Sequence, residues 1–561
     1  MSDTAQELGC ATSAIGYGVE ARRDSWVVTN IIQTFRFSTL CIGFFRRAGP
    51  FSRGHPHKCP GNPTIGSRRS RPHPSAKERL FLAQGWGFRG KWVFLWREKR
   101  ELQRKTTPME IAKVTTGGGR KLYIETYGCQ MNVGDTEIIV SIMTDEGFVY
   151  TRNIDEADII LVNTCSIRDN AEQRIWGRLK EFQRYKRAKR TLIVGIVGCM
   201  AERLKEQLLE REPIVDIVAG PDSYRDMPRL VEAASAGGKG VNVQLSQEET
   251  YGDIRPVRLD SNGVSAFVSI MRGCINMCAY CVVPYTRGIE RSRDPQTILR
   301  EIREVYDLGY REVTLLGQNV NSYRWKNEQG EIVVDFPRLM EMAASVAPDL
   351  RVRFATSHPK DLSDRLIEVM ASHHNICKAI HLPAQSGSSR MLQIMNRKYT
   401  REWYLGRIAA IRAAMPDCAI TTDLIAGFCT ETLEDHAETL SLMREVGYES
   451  AFMFKFSLRP NTFAARHMTD DVSEEEKTRR LTEIINLQNE LSIESNRRDV
   501  GKEFEVLIEG HSKRSESQLC GRTSQNKMVV FDAAEGLKAG DYATVTITDC
   551  SSATLFGTLV M

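Results

Sequence analysis

Apolar positions along the chain fall into two alternating series and a closing stretch of shorter period. From Lys121, compact apolar runs of strand length ("KLYIETYGC", "ADIILVNTC", "TLIVGIVGC" and "IVDIVAG") alternate with segments of helical period, Val133–Gly147 and "AEQRIWGRLKEFQRYKRAKR". Runs that stay apolar on both sides of the pleat predict strands buried on both faces, and hence a parallel sheet covered by helices. A second series starts near Pro256, with strand-like runs "SAFVSIMRGC", "EVTLLGQNV", "RVRFATSH", "AIHLPAQSG", "AITTDLIAGF" and "AFMFKFSL". Helical stretches such as "PQTILREIREVYDLG" and "REWYLGRIAAIRAAM" separate them. Six such units predict a partial (β/α)6 barrel instead of a complete eight-stranded one. The polar run "SEEEKTRRLTEIINLQNELSIESNRR" reads as a long spacer helix. Beyond it, "EFEVLIEG", "MVVFD", "YATVTITDC" and "TLFGTLV" are short alternating strands punctuated by glycine, the pattern of a small β-barrel of a kind often used on RNA. The fold class is α/β: an open parallel-sheet domain, a partial barrel and a small C-terminal β-barrel.

The first hundred residues break this pattern. "RRAGPFSRGHPHKCPGNPTIGSRRSRPHPS" is rich in Arg, Pro, Gly and Ser and holds no sustained period. Such a stretch is expected to be disordered, or to come from an overlong gene prediction whose natural start is Met109. The expected domains are therefore 1–118 (extension), 119–255 (parallel-sheet domain), 256–495 (partial barrel) and 496–561 (small barrel). "GWGFRG" (Gly85–Gly90) has the letters of a dinucleotide fingerprint, but "KWVFLW" follows where a helix should start. "HPHKC" (His55–Cys59) lacks a second pair of ligands and reads as a solvated loop. With 42% hydrophobic and 26% charged residues the composition is that of an ordinary globular chain, and the net charge of +5 permits a polyanionic partner without requiring one. No apolar run reaches the length of about 18 residues that a membrane-spanning helix needs. The opening residues carry Asp3, Glu7, Glu20 and Asp24, which suits neither a signal nor a transit peptide, so a reducing compartment is expected, the cytoplasm before the mitochondrion.

In such a compartment clustered cysteines bind metal or do chemistry more often than they pair. Three consecutive strands stop at Cys129, Cys165 and Cys199, and in an open parallel sheet those stops share the carboxyl edge, where such folds place their sites. A further trio, Cys274, Cys278 and Cys281, forms a C-x3-C-x2-C run directly after a strand. Spaced in this way, three thiolates suit one cubane iron–sulfur cluster and leave its fourth iron without a cysteine. A structural zinc site missing a ligand, or buried cysteines that happen to cluster, are the competing readings. Cys10, Cys41, Cys59, Cys377, Cys418, Cys520 and Cys550 show no ligand spacing.

"RGCINMCAYCVVPYTRG" resembles the cluster motif of the radical S-adenosylmethionine superfamily. The resemblance implies that S-adenosylmethionine chelates the open iron and is cleaved to a 5′-deoxyadenosyl radical, with Tyr280 packing near the adenine. "YGCQMN", "NTCSIR" and "GCMAER" are similar to the amino-terminal domain of methylthiotransferases, which implies a second [4Fe–4S] cluster on Cys129, Cys165 and Cys199. The likeness runs from about Lys121 to the C-terminus and ends in a tail similar to a TRAM domain. "LLGQNVNSY", "TSHP" and "HLPAQSGSSRMLQIMNRKYT" place it nearest the branch that acts on N6-isopentenyladenosine at position 37 of tRNA. That branch abstracts hydrogen from C2, inserts sulfur and transfers a methyl group from S-adenosylmethionine. One departure is "GFCTET", where many bacterial members have Gly-Phe-Pro-Gly-Glu-Thr; Cys429 there is expected to neighbour the barrel without being a ligand. Cosubstrate or substrate contacts are expected at the strand-end residues Gly317, Gln318, Asn319, Gln385 and Ser386. His358 and His381 lie at similar strand ends, where an ordinary hydrogen-bonded histidine is an equal reading. Arg287, Arg291, Arg293, Arg397, Lys398, Lys513 and Arg514 are candidates for gripping RNA phosphates, against the alternative of solvated faces. Implied partners are the tRNA anticodon loop, an electron donor such as flavodoxin or ferredoxin and a sulfur donor, and the enzyme is expected to be a monomer. The rival readings are modification of N6-threonylcarbamoyladenosine, modification of a ribosomal-protein aspartate, or an iron–sulfur RNA-binding module without turnover.

Overall fold

Long-range parallel pairing dominates the first domain of the computed structural model, which describes residues 118–165, 169–259 and 262–560. The extension, "GWGFRG", "HPHKC", Cys10, Cys41 and Cys59 lie outside the described residues. Strands β1 (Lys121–Tyr127), β2 (Val149–Tyr150), β3 (Ile159–Thr164), β4 (Ile193–Gly198), β5 (Ile217–Ala219) and β6 (Gly240–Asn242) form one sheet in the order β2-β1-β3-β4-β5-β6. Every pair in it is parallel. Each residue of β3 and β4 is buried, which is why their sequences read as unbroken apolar runs. The edge strands β2 and β6 are too short to have been legible as periodic runs. Strand order reverses between β1 and β3, and the crevice outside their carboxyl ends is where open sheets of this kind place a site.

The chain then runs through β7 (Ser265–Ser269), a two-rung antiparallel ladder of β8 (Met271–Arg272) with β9 (Arg291–Ser292), and β10 (Glu312–Leu316). A second antiparallel ladder, β11 (Arg324–Lys326) with β12 (Ile332–Asp335), precedes β13 (Arg351–Phe354), β14 (Ala379–His381), β15 (Ala419–Ala426) and β16 (Ser450–Lys455). The main strands make two parallel three-stranded sheets, β13-β10-β7 and β14-β15-β16, joined through a parallel bridge between Val352 and Ile376. This is the expected partial (β/α)6 arrangement, and its interior is one continuous apolar core. The helix Glu474–Arg497, capped by Ser473, does more than act as a spacer: it buries Ile484 and Leu487 in that core.

The tail closes into a five-stranded barrel, β17 (Glu503–Ser512), β18 (Ser515–Arg522), β19 (Met528–Asp532), β20 (Tyr542–Cys550) and β21 (Leu555–Leu559), in the order β17-β18-β19-β21-β20. Strand β18 is mostly polar and had escaped the sequence reading. Arg351 donates to the Arg522 and Glu505 carbonyls at 2.7 and 2.9 Å, and Arg353 to those of Ser524 and Thr523 at 2.9 and 2.7 Å. Tyr542 donates to the Asp349 carbonyl at 2.8 Å. On the large barrel, Asp349 and Arg351 lie at the amino end of β13, so the small barrel sits opposite the carboxyl edge.

A buried ion cluster joins the sheet domain to the large barrel. Arg258 donates to Glu137 at 2.9 Å and to Glu301 at 2.6 Å, and Arg293 also pairs with Glu301. Burial, only partly offset by Arg258, pushes the Glu137 carboxyl up to about 7. Removing the shared cation in Arg258→Met leaves two carboxylates buried without it, and a loss of about 3–5 kcal/mol in a denaturant titration is expected. Because the folded state holds the Glu137 proton more tightly, this residue's contribution to stability should fall as pH rises from the ordinary carboxyl range to about 7. Glu137→Gln should remove that slope in the same titration.

Candidate metal centre

Adjacent strands β1, β3 and β4 deliver Cys129, Cys165 and Cys199 to one sheet edge. Cys129 is the N-cap of the helix Gln130–Asp145, Cys165 follows β3 directly and donates its backbone N–H to Tyr127 O at 2.9 Å, and Cys199 opens the helix Cys199–Leu204. Two glycines make the close approach possible. A Cβ on Gly128 would stand 2.7 Å from Cys165 Cβ, and Gly198, at φ +90°, would place one 2.5 Å from Asn163 Oδ1. Beneath the thiols, Asn132 Nδ2 donates to Asn163 Oδ1 at 2.9 Å, and Asn163 Nδ2 donates to Asn132 O at 2.8 Å and Thr136 Oγ1 at 3.0 Å. This buried network ties the helix that Cys129 caps to the end of β3.

Charge is distributed unevenly over this trio. A hydrogen bond from Cys165 and the nearby Arg287 guanidinium pull the Cys129 thiol down to about 6, whereas burial raises that of Cys199. Arg287 Nε donates to Cys199 Sγ at 3.2 Å and its Nη2 to Asp135 Oδ2 at 2.7 Å. The other Asp135 oxygen accepts from Arg272 Nη1 at 2.8 Å. Against burial, which alone would raise it, Arg272 and Arg287 hold the Asp135 carboxyl below its ordinary range. Asp135 belongs to the sheet domain, while Arg272 and Arg287 flank the second cysteine run.

That second run, Cys274, Cys278 and Cys281, lies on the loop between β8 and β9. Cys274 N donates to Gly288 O at 3.1 Å, and Cys281 N to Cys278 O at 2.9 Å. Burial pushes the Cys274 thiol up to about 11 and the Cys281 thiol up to about 12. Arg397 Nη1 donates to Cys278 Sγ at 3.3 Å. Each trio therefore has one buried arginine bonded to one of its sulfurs. Among the described residues no three His, Cys, Asp or Glu side chains are grouped so that they could hold a single metal ion. The donor set is three thiols with an arginine beside them, chemistry suited to an iron–sulfur cluster.

Unpaired polar atoms gather at the barrel mouth. Gln318 Oε1, Asn319 Oδ1, both polar atoms of the Asn321 amide, Ser357 Oγ and His358 Nε2 are buried without a hydrogen-bond partner. They lie just beyond the carboxyl ends of the paired strands β10 and β13, a donor and acceptor set suited to a polar cosubstrate. His358 accepts from Lys360 N at 3.3 Å, and burial with the nearby Arg397 and Lys360 charges holds its imidazole neutral. Gly317 is packed so closely that a Cβ would stand 2.5 Å from Met271 Cγ. Gln385 is buried and left-handed at φ +70°. The Ser386 hydroxyl contacts Thr439 Oγ1 at 3.3 Å and accepts from Ser388 N at 3.2 Å, so it serves its own turn. Tyr280 packs edge-on to Phe428 at 6.2 Å. His381 is an ordinary bonded histidine, with Nδ1 3.0 Å from Thr421 Oγ1. Cys429 is buried in an apolar cluster with Ala279, Met395 and Phe456. Asp135, Arg272, Asn321 and Ser357 were not singled out from sequence, although the last two stand inside the motifs "GQNVNSY" and "TSHP".

Four of the expected RNA contacts are corrected by burial. Arg287 and Arg397 are bound to cysteine sulfurs, Arg291 donates to Asp222 at 3.0 Å, and Arg293 pairs with Glu301. All four are inside the protein and cannot meet a phosphate as placed. Lys398, Lys513 and Arg514 are exposed.

Comparison with known proteins agrees with this architecture. Residues 121–220 match the family described as "Uncharacterized protein family UPF0004", residues 268–443 the radical SAM superfamily and residues 497–560 the TRAM domain. A Parabacteroides distasonis protein named tRNA-2-methylthio-N(6)-dimethylallyladenosine synthase is 61% identical over 449 residues, covering 80% of this chain and 97% of its own length. Proteins of the same name from Phocaeicola vulgatus and Bacteroides fragilis are 58% identical over 455 residues and 56% over 451 residues. These alignments cover 81% and 80% of this chain and 99% and 98% of the relatives. A solved radical S-adenosylmethionine methyltransferase from Kitasatospora setae overlaps at a TM-score of 0.46 and 14% identity, over 62% of this chain and 75% of that one. With such identity sustained across four-fifths of its length, the chain belongs to the tRNA-2-methylthio-N6-dimethylallyladenosine synthase family of radical SAM proteins.

Proposed function

We infer that the protein methylthiolates C2 of N6-isopentenyladenosine at position 37 of tRNA, using S-adenosylmethionine and two [4Fe–4S] clusters. The observation that carries this is Arg287. It follows Cys281 by six residues in the chain yet donates to Cys199 of the other trio, so both sets of thiols border one region. A C2–H bond is unactivated, and positioned acid–base groups, worth about 10²–10⁴-fold, do not open it. Cluster and cosubstrate together would supply a radical that can abstract this hydrogen, and the second cluster would carry the sulfur. The protein's share is to hold and aim. Cys274, Cys278 and Cys281 would hold the first cluster together with S-adenosylmethionine, and Cys129, Cys165 and Cys199 would hold the second. Gln318, Asn319, Asn321, Ser357 and His358 present their free polar atoms to the cosubstrate, with Gly317, Gln385 and the turn at Ser386 shaping the wall and Tyr280 beside the adenine.

Reaching the target base requires it to be turned out of the anticodon loop, the part of an RNA that proteins commonly read by stacking and edge contacts. Lys398 near the mouth and Lys513 and Arg514 on the small barrel are the exposed cations for the backbone. An RNA touching both sites runs along the large barrel from mouth to base. The reaction further calls for a one-electron donor such as flavodoxin or ferredoxin and a sulfur donor, and we place it in a cytoplasmic monomer. Among the described residues no helix is long and apolar enough to cross a membrane.

Two experiments test this reading. In a strain deleted for its own enzyme, nucleoside mass spectrometry should show 2-methylthio-N6-isopentenyladenosine restored by this protein and absent with Cys278→Ala; unmodified N6-isopentenyladenosine in both strains would overturn the substrate assignment. On anaerobically reconstituted protein, iron should fall from about 8 to about 4 per chain when either trio is changed to alanine. Loss of the Cys129 trio should leave 5′-deoxyadenosine formation intact while abolishing the methylthio product, and loss of the Cys274 trio should abolish both.

A further inference from the structure

Arg397 is an anomaly among the buried cations. Nine arginines are buried among the described residues, and eight of them, Arg258, Arg272, Arg287, Arg291, Arg293, Arg351, Arg353 and Arg480, are ion-paired with a carboxylate. Arg397 instead donates to neutral acceptors, Tyr399 Oη at 3.0 Å and Pro383 O at 2.9 Å, and to Cys278 Sγ at 3.3 Å, with Tyr280 Oη at 3.5 Å. A buried guanidinium without a counter-charge is costly, so its retention points to an anion beside it. Of the groups it contacts, the Cys278 sulfur is the one that would be anionic as a cluster ligand. The backbone is built to keep the arginine there. Both neighbours, Asn396 and Lys398, are left-handed at φ +60° and +62°, a conformation that asparagine tolerates and lysine rarely adopts. Three consecutive residues of this turn meet three consecutive residues of the cysteine loop: Met395 O accepts from Ala279 N at 2.9 Å, Asn396 Nδ2 donates to Met277 O at 2.8 Å, and Arg397 reaches Cys278. Arg287 differs, since it is ion-paired with Asp135, which Arg272 shares.

We propose that Arg397 is a positioning residue for the cluster on Cys274, Cys278 and Cys281: it fixes the Cys278 ligand and contributes a positive charge, paired with no carboxylate, that favours the reduced cluster. This rests on the reading of that trio given above. Reduction adds one electron from a low-potential one-electron donor, with no bond made or broken, and makes the cluster more negative by one charge. A fixed neighbouring cation, and a hydrogen bond to a ligand sulfur, both favour that state.

The test is an EPR-monitored redox titration of the reconstituted full-length protein without tRNA, the signal being assigned with the Cys129, Cys165 and Cys199→Ala variant. Arg397→Gln should retain iron while its reduced-to-oxidised ratio at a fixed potential falls at least tenfold, a shift of about 59 mV for one electron. Arg397→Lys, which keeps the charge, should recover most of that ratio. Loss of iron in Arg397→Gln but not in Arg397→Lys would also support the requirement for charge. An unchanged ratio in iron-loaded Arg397→Gln, or iron lost from both variants, would reduce Arg397 to a packing role and overturn the proposal. No iron on the Cys274 trio of the otherwise unaltered protein would instead sink the cluster reading, and this proposal with it.

Discussion

Asp135, held between Arg272 and Arg287, is the contact on which the placement of both cysteine trios depends. Its carboxylate belongs to a helix of the sheet domain, and the two guanidiniums belong to the segments on either side of the radical loop. A carboxylate gripped by two arginines in a water-free interior has little freedom of position, because moving either partner strands a buried charge. Arg287 extends the grip to Cys199, so the geometry that locks the two domains also sets a cation against a sulfur. Arg258, between Glu137 and Glu301, repeats the device lower in the same interface.

This use of arginine changes how the basic content of the chain is understood. The run from Arg287 to Arg293 looks like a phosphate-binding patch when read as letters, yet the interior consumes all three of its arginines. Of the candidate cations near the mouth only Lys398 is exposed, and the small barrel with its exposed Lys513 and Arg514 stands at the far end of the large one, anchored there by Arg351 and Arg353. The barrel mouth and the small barrel's exposed cations are thus separated by the length of the barrel strands.

The barrel mouth shows the opposite economy. Buried polar groups are nearly always hydrogen-bonded, yet here five residues on two adjacent strand ends leave atoms unpaired. Polar groups arranged in this way do not stabilise the protein alone; they are set for a ligand that completes their bonds. The thiols behave alike: burial pushes those of Cys274 and Cys281 up to about 11 and about 12, so on their own they keep their protons.

Much of this was legible in the sequence. Unbroken apolar runs such as "ADIILVNTC" fixed parallel strands because residues buried on both faces have no polar side to alternate with. Cysteines at strand ends fell at one edge because a parallel sheet aligns its carboxyl termini, and C-x3-C-x2-C announced its trio by local spacing alone. Edge strands β2 and β6 and the polar strand β18 escaped because pairing, and not periodicity, makes them strands. Charge was the chief misreading. Whether an arginine faces water or a buried carboxylate depends on partners more than a hundred residues away, as with Arg272 and Arg287 on Asp135. The cost of burying ions unpaired, felt only once the chain is packed, decides which cations turn inward, and no run of letters around Arg397 could reveal that it alone, among the buried arginines of the described residues, would go in without a carboxylate.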